Sequence, residues 1–214
     1  MGNKLRAISY LSHTSGITTT SVTWATLRTT VCNPPQGNGS RVYSNMNYSL
    51  FRVILPFMDN KGECIAKQSL STGHQTWLAN RYVQVMQQAV FSPIGLGVIN
   101  CIPTSSSVFM MNETGNNNGT SIPLGDWTES TGGGFNMSVM EMARFMASLS
   151  QTNTLVSFVQ RIQMDNINLL MGRDPEDSQM TVAGHAYGKD GAFWQNANIT
   201  PVQRMQVTLD CKLL

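Results

Sequence analysis

The sequence predicts an α+β fold, an antiparallel sheet flanked by helices, from three observations. Apolar residues recur at helical spacing between residues 46 and 91, and again between 138 and 162. Near the C-terminus the spacing changes to the two-residue alternation of a half-buried strand, and helices followed by antiparallel strands are the pattern of α+β domains. The 214 residues are 41% hydrophobic, enough to build one core. The expected organisation is one domain over residues 1–214, mainly helix and loop over 1–180 and strands over 181–214.

Residues 1–45 carry the clusters TSGITTTSVT and CNPPQGNGS, which read as loop with at most one short helix. Met46, Leu50, Val53, Ile54 and Phe57 then fall on one helical face, with Pro56 helping to end the helix. Trp77, Leu78, Tyr82, Val85, Met86 and Ala89 repeat the pattern until the sequence SPIG stops it. Residues 100–135 are irregular, and a connection of that length is usually functional. Ser138 and Glu141 have the spacing of a capping box, placed before an apolar face of Met142, Phe145, Met146 and Leu149. Leu155, Phe158, Val159 and Ile162 define the buried face of a further helix, and Gly172 with Pro175 closes that segment. Met205, Val207, Leu209 and Cys211 alternate with polar residues as a strand. Gly188 to Phe193 is its expected partner, joined through the turn QNANITPV.

Composition excludes several function classes. Against 12 Asp+Glu stand 14 Lys+Arg, and a formal charge of +2 is too near neutral to imply a nucleic-acid partner. No window approaches the roughly 18 consecutive apolar residues of a membrane span. The N-terminal residues lack the apolar stretch of a signal peptide, and Arg6 breaks the myristoylation pattern. Cys32, Cys64, Cys101 and Cys211 are too dispersed for a zinc site, and no cofactor or metal is expected. His13, His74 and His185 are equally scattered and read as surface or hydrogen-bonded histidines. The run Gly132-Gly133-Gly134 lacks a phosphate-binding pattern and reads as loop wall. Low charge with abundant Asn, Thr and Ser also occurs in capsid-like shells, a reading that requires an all-β chain.

Taken in order, several segments resemble a family. Leu11-Ser12-His13-Thr14-Ser15-Gly16 is similar to an LLxHTSG segment, Tyr43-Ser44-Asn45 to a Tyr-x-Asn motif, and Phe91-Ser92-Pro93-Ile94-Gly95-Leu96 to an F-x-P-L/I-G-L/M segment. The glycine run followed by Ser138 to Leu149 resembles a GG…S-x-x-(D/E)-L/M-A-R/K-F helix, and Lys189-Asp190-Gly191 resembles a Lys/His-Thr/Ser-Gly strand motif. These are segments of the class C β-lactamase, D-Ala-D-Ala peptidase and serine esterase superfamily. The resemblance implies a β-lactamase/transpeptidase-like fold and acyl transfer on an ester, amide or peptide bond of a small-molecule or peptide substrate. With the six Asn-x-Ser/Thr sequons it also favours an extracytoplasmic or secreted setting.

By that resemblance the catalytic residues are Tyr43, as or sharing the general base, and Lys189, which supplies positive charge and helps hold Tyr43 ionised. A phenol of reference pKa about 10 needs such cationic neighbours. Asn45 would donate to the substrate carbonyl, Gly191 would leave room at the strand, and the Ala192 N–H would be an oxyanion donor. Asp190 stands where the family has Thr or Ser, which disfavours a substrate carboxylate and leans toward neutral esters or amides. Gly184-His185 competes for the strand motif, but Ala-Tyr rather than x-Gly follows it, and Lys189 fits better.

The family's nucleophile is the serine of a Ser-x-x-Lys motif. Three positions before Lys4, Lys61, Lys67, Lys189 and Lys212 stand Met1, Met58, Cys64, Ala186 and Leu209, so the motif is absent from these residues. Cys64-Ile-Ala-Lys67 offers a thiol, but it follows Tyr43, the wrong order for the family. The expectation is therefore the central and C-terminal portion of a serine hydrolase domain, inactive as this chain. The alternative is a non-catalytic pseudo-enzyme binding peptide or glycan in the former cleft. Structural roles also suit the same residues: Tyr43 packed under the 46–57 helix with Asn45 as its N-cap, Lys189 and Asp190 in a solvated turn, and HTSG as a helix-capping loop.

Overall fold

The computed structural model describes residues 7–19, 21–32, 40–68, 73–102, 128, 134–164, 174–181 and 184–188. From residue 7 to residue 164 the described residues are helix and loop, with no strand among them. This overturns the expected sheet flanked by helices, and it also removes the all-β shell reading. Among the described residues strand structure is confined to one antiparallel pair, β1 (Asp174–Thr181) and β2 (Gly184–Gly188), paired as Gln179 with Ala186, Met180 with His185 and Thr181 with Gly184. A two-stranded pair is only marginally stable by itself and is less than the sheet the sequence predicts. The β1 sequence DPEDSQMT lacks apolar alternation, which is why that stretch reads as the loop closing a helix. Of the expected strand pair, residues 189–193 and 205–211 lie outside the described residues, as does most of the 100–135 connection.

Among the described residues before 45, two helices form where the sequence suggests one: α1 (Ala7–Leu11) and α2 (Trp24–Cys32). The single helix expected over 46–57 is broken. α3 (Asn45–Ser49) starts on Ser44, whose hydroxyl accepts from the Met46 N–H, so Ser44 and not Asn45 is the N-cap. Leu50 stands between α3 and α4 (Phe51–Asp59) with its own backbone in the right-handed helical region. Pro56 does not end α4. It lacks an N–H to offer the Arg52 carbonyl, yet it is buried and the helix runs on for three residues, because packing on every side outweighs one missing bond. Asn60 ends α4 and caps α5 (Lys61–Lys67), its side chain accepting from the Glu63 N–H at 3.1 Å.

α4 lies between two groups of buried side chains. On one side Ile17, Leu27, Met46 and Leu50 meet its Val53 and Ile54, and on the other Trp24, Cys64, Leu78 and Ala79 meet its Val53 and Phe57. The expected apolar face of Met46, Leu50, Val53, Ile54 and Phe57 thus holds in packing despite the break at Leu50. α6 (His74–Met86) supplies Trp77, Leu78 and Tyr82 to the core as its periodicity predicts and adds Ala79, which lies outside the predicted face, while Ala89 beyond it is exposed. A π-helical turn, Gln87–Phe91, and a 3-10 turn, Ser92–Ile94, carry the chain into the SPIG stop.

That stop is built on Gly95. The Gly95 N–H bonds to the Ser92 carbonyl at 2.9 Å and the Leu96 N–H to the Phe91 carbonyl at 3.0 Å, the paired bonds of a Schellman C-cap with Gly95 left-handed at φ 71°. A β-carbon there would also stand 2.9 Å from Nη2 of Arg144. Gly95→Ala is therefore expected to lower stability by about 1–2 kcal/mol from the left-handed backbone alone. A urea midpoint shift at unchanged slope checks it.

α7 (Val139–Gln151) begins on the expected capping box. The Ser138 N–H donates to Glu141 Oε2 at 2.7 Å and the Ser138 hydroxyl accepts from the Glu141 N–H at 3.2 Å. The Ser138 backbone bond holds the Glu141 carboxyl below its ordinary range. Phe145 packs with Phe91, Ile94, Leu96 and Ile99, but the rest of the α7 apolar face is only half-buried. α8 (Phe158–Met164) departs from expectation: Phe158, Val159 and Ile162 are exposed by 61%, 62% and 53%, and Leu155, which does pack in the core, lies before the helix. Spacing identifies the common face of these residues; it does not specify a neighbouring surface to cover them.

Candidate functional site

Two of the segments singled out in the sequence, 11–16 and 43–45, are brought together. α1 ends in the same cap as the SPIG stop. The His13 N–H bonds to the Tyr10 carbonyl at 3.2 Å and the Thr14 N–H to the Ser9 carbonyl at 2.8 Å. His13 occupies the left-handed position usually taken by glycine, at φ 58°. The HTSG segment is thus a helix-capping loop, as its composition suggests. The cap turns the imidazole inward, where His13 is 2% exposed.

Partners for the buried imidazole come from the Tyr-Ser-Asn segment. The Ser44 N–H donates to His13 Nδ1 at 3.3 Å, and Asn47 Nδ2 lies 3.1 Å from the same nitrogen. Ser15 Oγ donates to Asn47 Oδ1 at 2.5 Å, which fixes the amide so that its NH2 faces the histidine. The Ser44 hydroxyl donates to the Thr19 carbonyl, and the Val42 N–H donates to the His13 carbonyl at 2.9 Å. Ser15, Ser44 and Asn47 are buried with the ring. Buried polar groups with this many matched partners fix one arrangement of the two segments.

Tyr43 and Asn45 sit on the outer edge of this knot. The Tyr43 ring lies tilted by 38° against His13 with centroids 4.5 Å apart and remains 37% exposed. It therefore packs on the HTSG loop and not under the 46–57 helix. Asn45 is the first residue of α3 and is partly exposed. Tyr48 closes the other side, edge-on to His13 at 5.0 Å, its hydroxyl donating to the Leu11 carbonyl at 3.4 Å. Burial pushes the Tyr48 phenol up to about 12 against the opposing charge of Arg41. Tyr48 is a structural phenol, and Tyr43 is the one presented to solvent. Lys189, Asp190, Gly191 and Ala192 lie outside the described residues.

The thiol alternative fails on burial. Cys64 is fully buried in α5 among Trp24, Leu78 and Ala79, and burial, reinforced by the carboxylate of Glu63, pushes the thiol up. A thiolate nucleophile needs the opposite environment. Cys101 is likewise buried and pushed up to about 12. Among the described residues no three His, Cys, Asp or Glu side chains group as metal ligands. No helix among them is long and apolar enough to cross a membrane.

Sequence reasoning missed Asn47, which completes the knot, because a single asparagine beside an apolar helical face reads as solvated. It also missed Arg52. This side chain is fully buried, its guanidinium 4.1 Å from the centroid of the Trp24 ring and donating to the carbonyls of Val22 and Thr128. Comparison of the chain with known protein families, with curated proteins and with solved structures returns no match.

Proposed function

We propose that this chain carries part of the substrate cleft of a serine hydrolase related to the class C β-lactamases, D-Ala-D-Ala peptidases and serine esterases, acting on ester, amide or peptide bonds. The observation that carries the reading is the joining of two of the resembling segments. His13 and Ser44, 31 positions apart, are bonded in the interior while Tyr43 and Asn45 are left together at the surface. A phenol and a carboxamide so placed can contact one substrate, the phenol taking a proton and the amide donating to a carbonyl oxygen. The reading concerns this edge of the molecule and assigns no sheet.

Neither group replaces a nucleophile, and no Ser-x-x-Lys occurs in the 214 residues. The chain alone is therefore expected to give no acyl-enzyme burst with a chromogenic ester or a chromogenic cephalosporin. A stoichiometric burst abolished by Tyr43→Phe overturns that inactivity. The cleft itself is tested by amide NMR shifts on titration with a neutral acyl-dipeptide ester. Saturable shifts at Tyr43 and Asn45 support it, and shifts confined to other regions, or none, overturn it. The absent motif favours the second reading, a pseudo-enzyme that binds peptide or glycan at the same edge. A longer form of the protein with Ser-x-x-Lys upstream of His13 supports the hydrolase, and a longer form without it supports the pseudo-enzyme.

A further inference from the structure

We propose that His13 is an acid-sensitive latch that holds the Tyr43–Asn45 edge in place. The hydrogen-bond polarity can be followed atom by atom. Ser15 Oγ donates to Asn47 Oδ1 at 2.5 Å, so Asn47 presents its NH2 to His13 Nδ1 at 3.1 Å. The Ser44 N–H, a donor by nature, points at the same Nδ1 from 3.3 Å. Two donors on one ring nitrogen require that nitrogen to be an unprotonated acceptor, which places the ring proton on Nε2. Adding a proton at Nδ1 turns the acceptor into a third donor inside a buried site, and both bonds are lost together.

Those bonds fasten the segment that presents Tyr43. Ser44 is the N-cap of α3 and Tyr43 rests against the imidazole, so loss of the Ser44 N–H bond to Nδ1 loosens both, with the Ser44 hydroxyl still held by the Thr19 carbonyl. Titratable and charged groups at the ring include Tyr43 against its face, Tyr48 edge-on from α3, and Arg41, whose charge acts on Tyr48. The sign follows from linkage. An opened His13 takes up a proton at the ordinary histidine value of about 6.5, whereas the latched ring cannot take it at Nδ1. The latch is whole above that pH and weakens as pH falls below it. It operates whether or not Tyr43 serves a hydrolase.

The left-handed cap supplies the controls. His13→Asn places an oxygen where Nδ1 stands, on a residue that tolerates positive φ and does not titrate. His13→Gly keeps the cap and removes the acceptor. In the full chain, protection of the Ser44 amide, corrected for intrinsic exchange at each pH, is expected to fall up to about tenfold per pH unit below about 6.5. His13→Asn is expected to hold its protection across the same range, and His13→Gly to show low protection throughout. Nitrogen-15 spectra of the histidine-labelled wild type are expected to show His13 protonated at Nε2 only at pH 8. A proton on Nδ1 at pH 8, or a wild-type exchange profile as flat as that of His13→Asn, overturns the latch. Should His13→Asn not fold, the wild-type spectra decide by themselves.

Discussion

Replacing Phe91 by alanine is expected to remove about 3–5 kcal/mol of stability, the cost of emptying a core site that held a whole aromatic ring. Phe91 is 1% exposed and sits among Ile94, Leu96 and Ile99, with Met86, Phe135, Phe145 and Leu155 packed around them. Its ring meets Phe135 edge to face at 5.2 Å, and Phe135 in turn lies 5.9 Å from Tyr82 on α6. The site therefore joins the end of the α6 segment to the 135–155 region, and neither partner can close on the cavity without leaving the other. Thermal unfolding reads the effect directly, at about 2–4 °C per kcal/mol for a chain of this length. Phe91→Leu, which leaves a smaller void, should retain most of the stability. Equal loss in both variants, or a loss under about 1 kcal/mol in the alanine variant, is incompatible with this packing.

Arg52→Met is expected to cost about 2–4 kcal/mol although methionine fits an apolar interior well. The guanidinium donates to the Val22 and Thr128 carbonyls and lies over the Trp24 ring, whose Nε1–H donates to Thr128 Oγ1 at 2.9 Å. Methionine fills volume but leaves the buried Thr128 carbonyl and the part-buried Val22 carbonyl without the donor they face, and the cation–aromatic attraction goes as well. Arg52→Lys separates the contributions. It restores charge without the planar fork, so it should recover only part of the loss. Chemical unfolding of the three proteins at one pH checks the order arginine, lysine, methionine. A methionine variant as stable as the parent would show that the burial of Arg52 contributes nothing.

The success and failure of sequence reasoning here divide by distance along the chain. The capping box at Ser138 and Glu141, the stop at Gly95 and the face of Met46, Leu50, Val53, Ile54 and Phe57 are set by residues within a few turns of one another, and each was legible. Arg52 was not, because what covers it comes from Val22 and Trp24 on one side and Thr128 on the other. Phe158, Val159 and Ile162 show the converse: a shared helical face expected to be buried is exposed. Pro56 was read as a stop by its missing N–H, and tertiary packing overrode it. At the candidate site, Tyr43 and Asn45 could be named from motifs. Their support by His13, Ser15 and Asn47 could not, since it depends on which nitrogen of one imidazole is an acceptor. The hairpin at 174–188 was hidden for another reason, as its first strand pairs through the backbone without an apolar pattern.

The two Schellman caps, at His13 and Gly95, have the same backbone bonds but different folding histories. The Gly95 cap is complete once five or six consecutive residues have turned, so it can close as a local event. The His13 cap can turn just as early, but its side chain waits for partners 31 and 34 positions away. Loop closure must come first, and contacts of that separation form late unless the nucleus includes them. A substitution at His13 that keeps the turn should therefore mainly speed unfolding, and a defect at Gly95 should also slow folding if its cap belongs to the nucleus. One backbone motif would then report on two different stages of the same folding reaction.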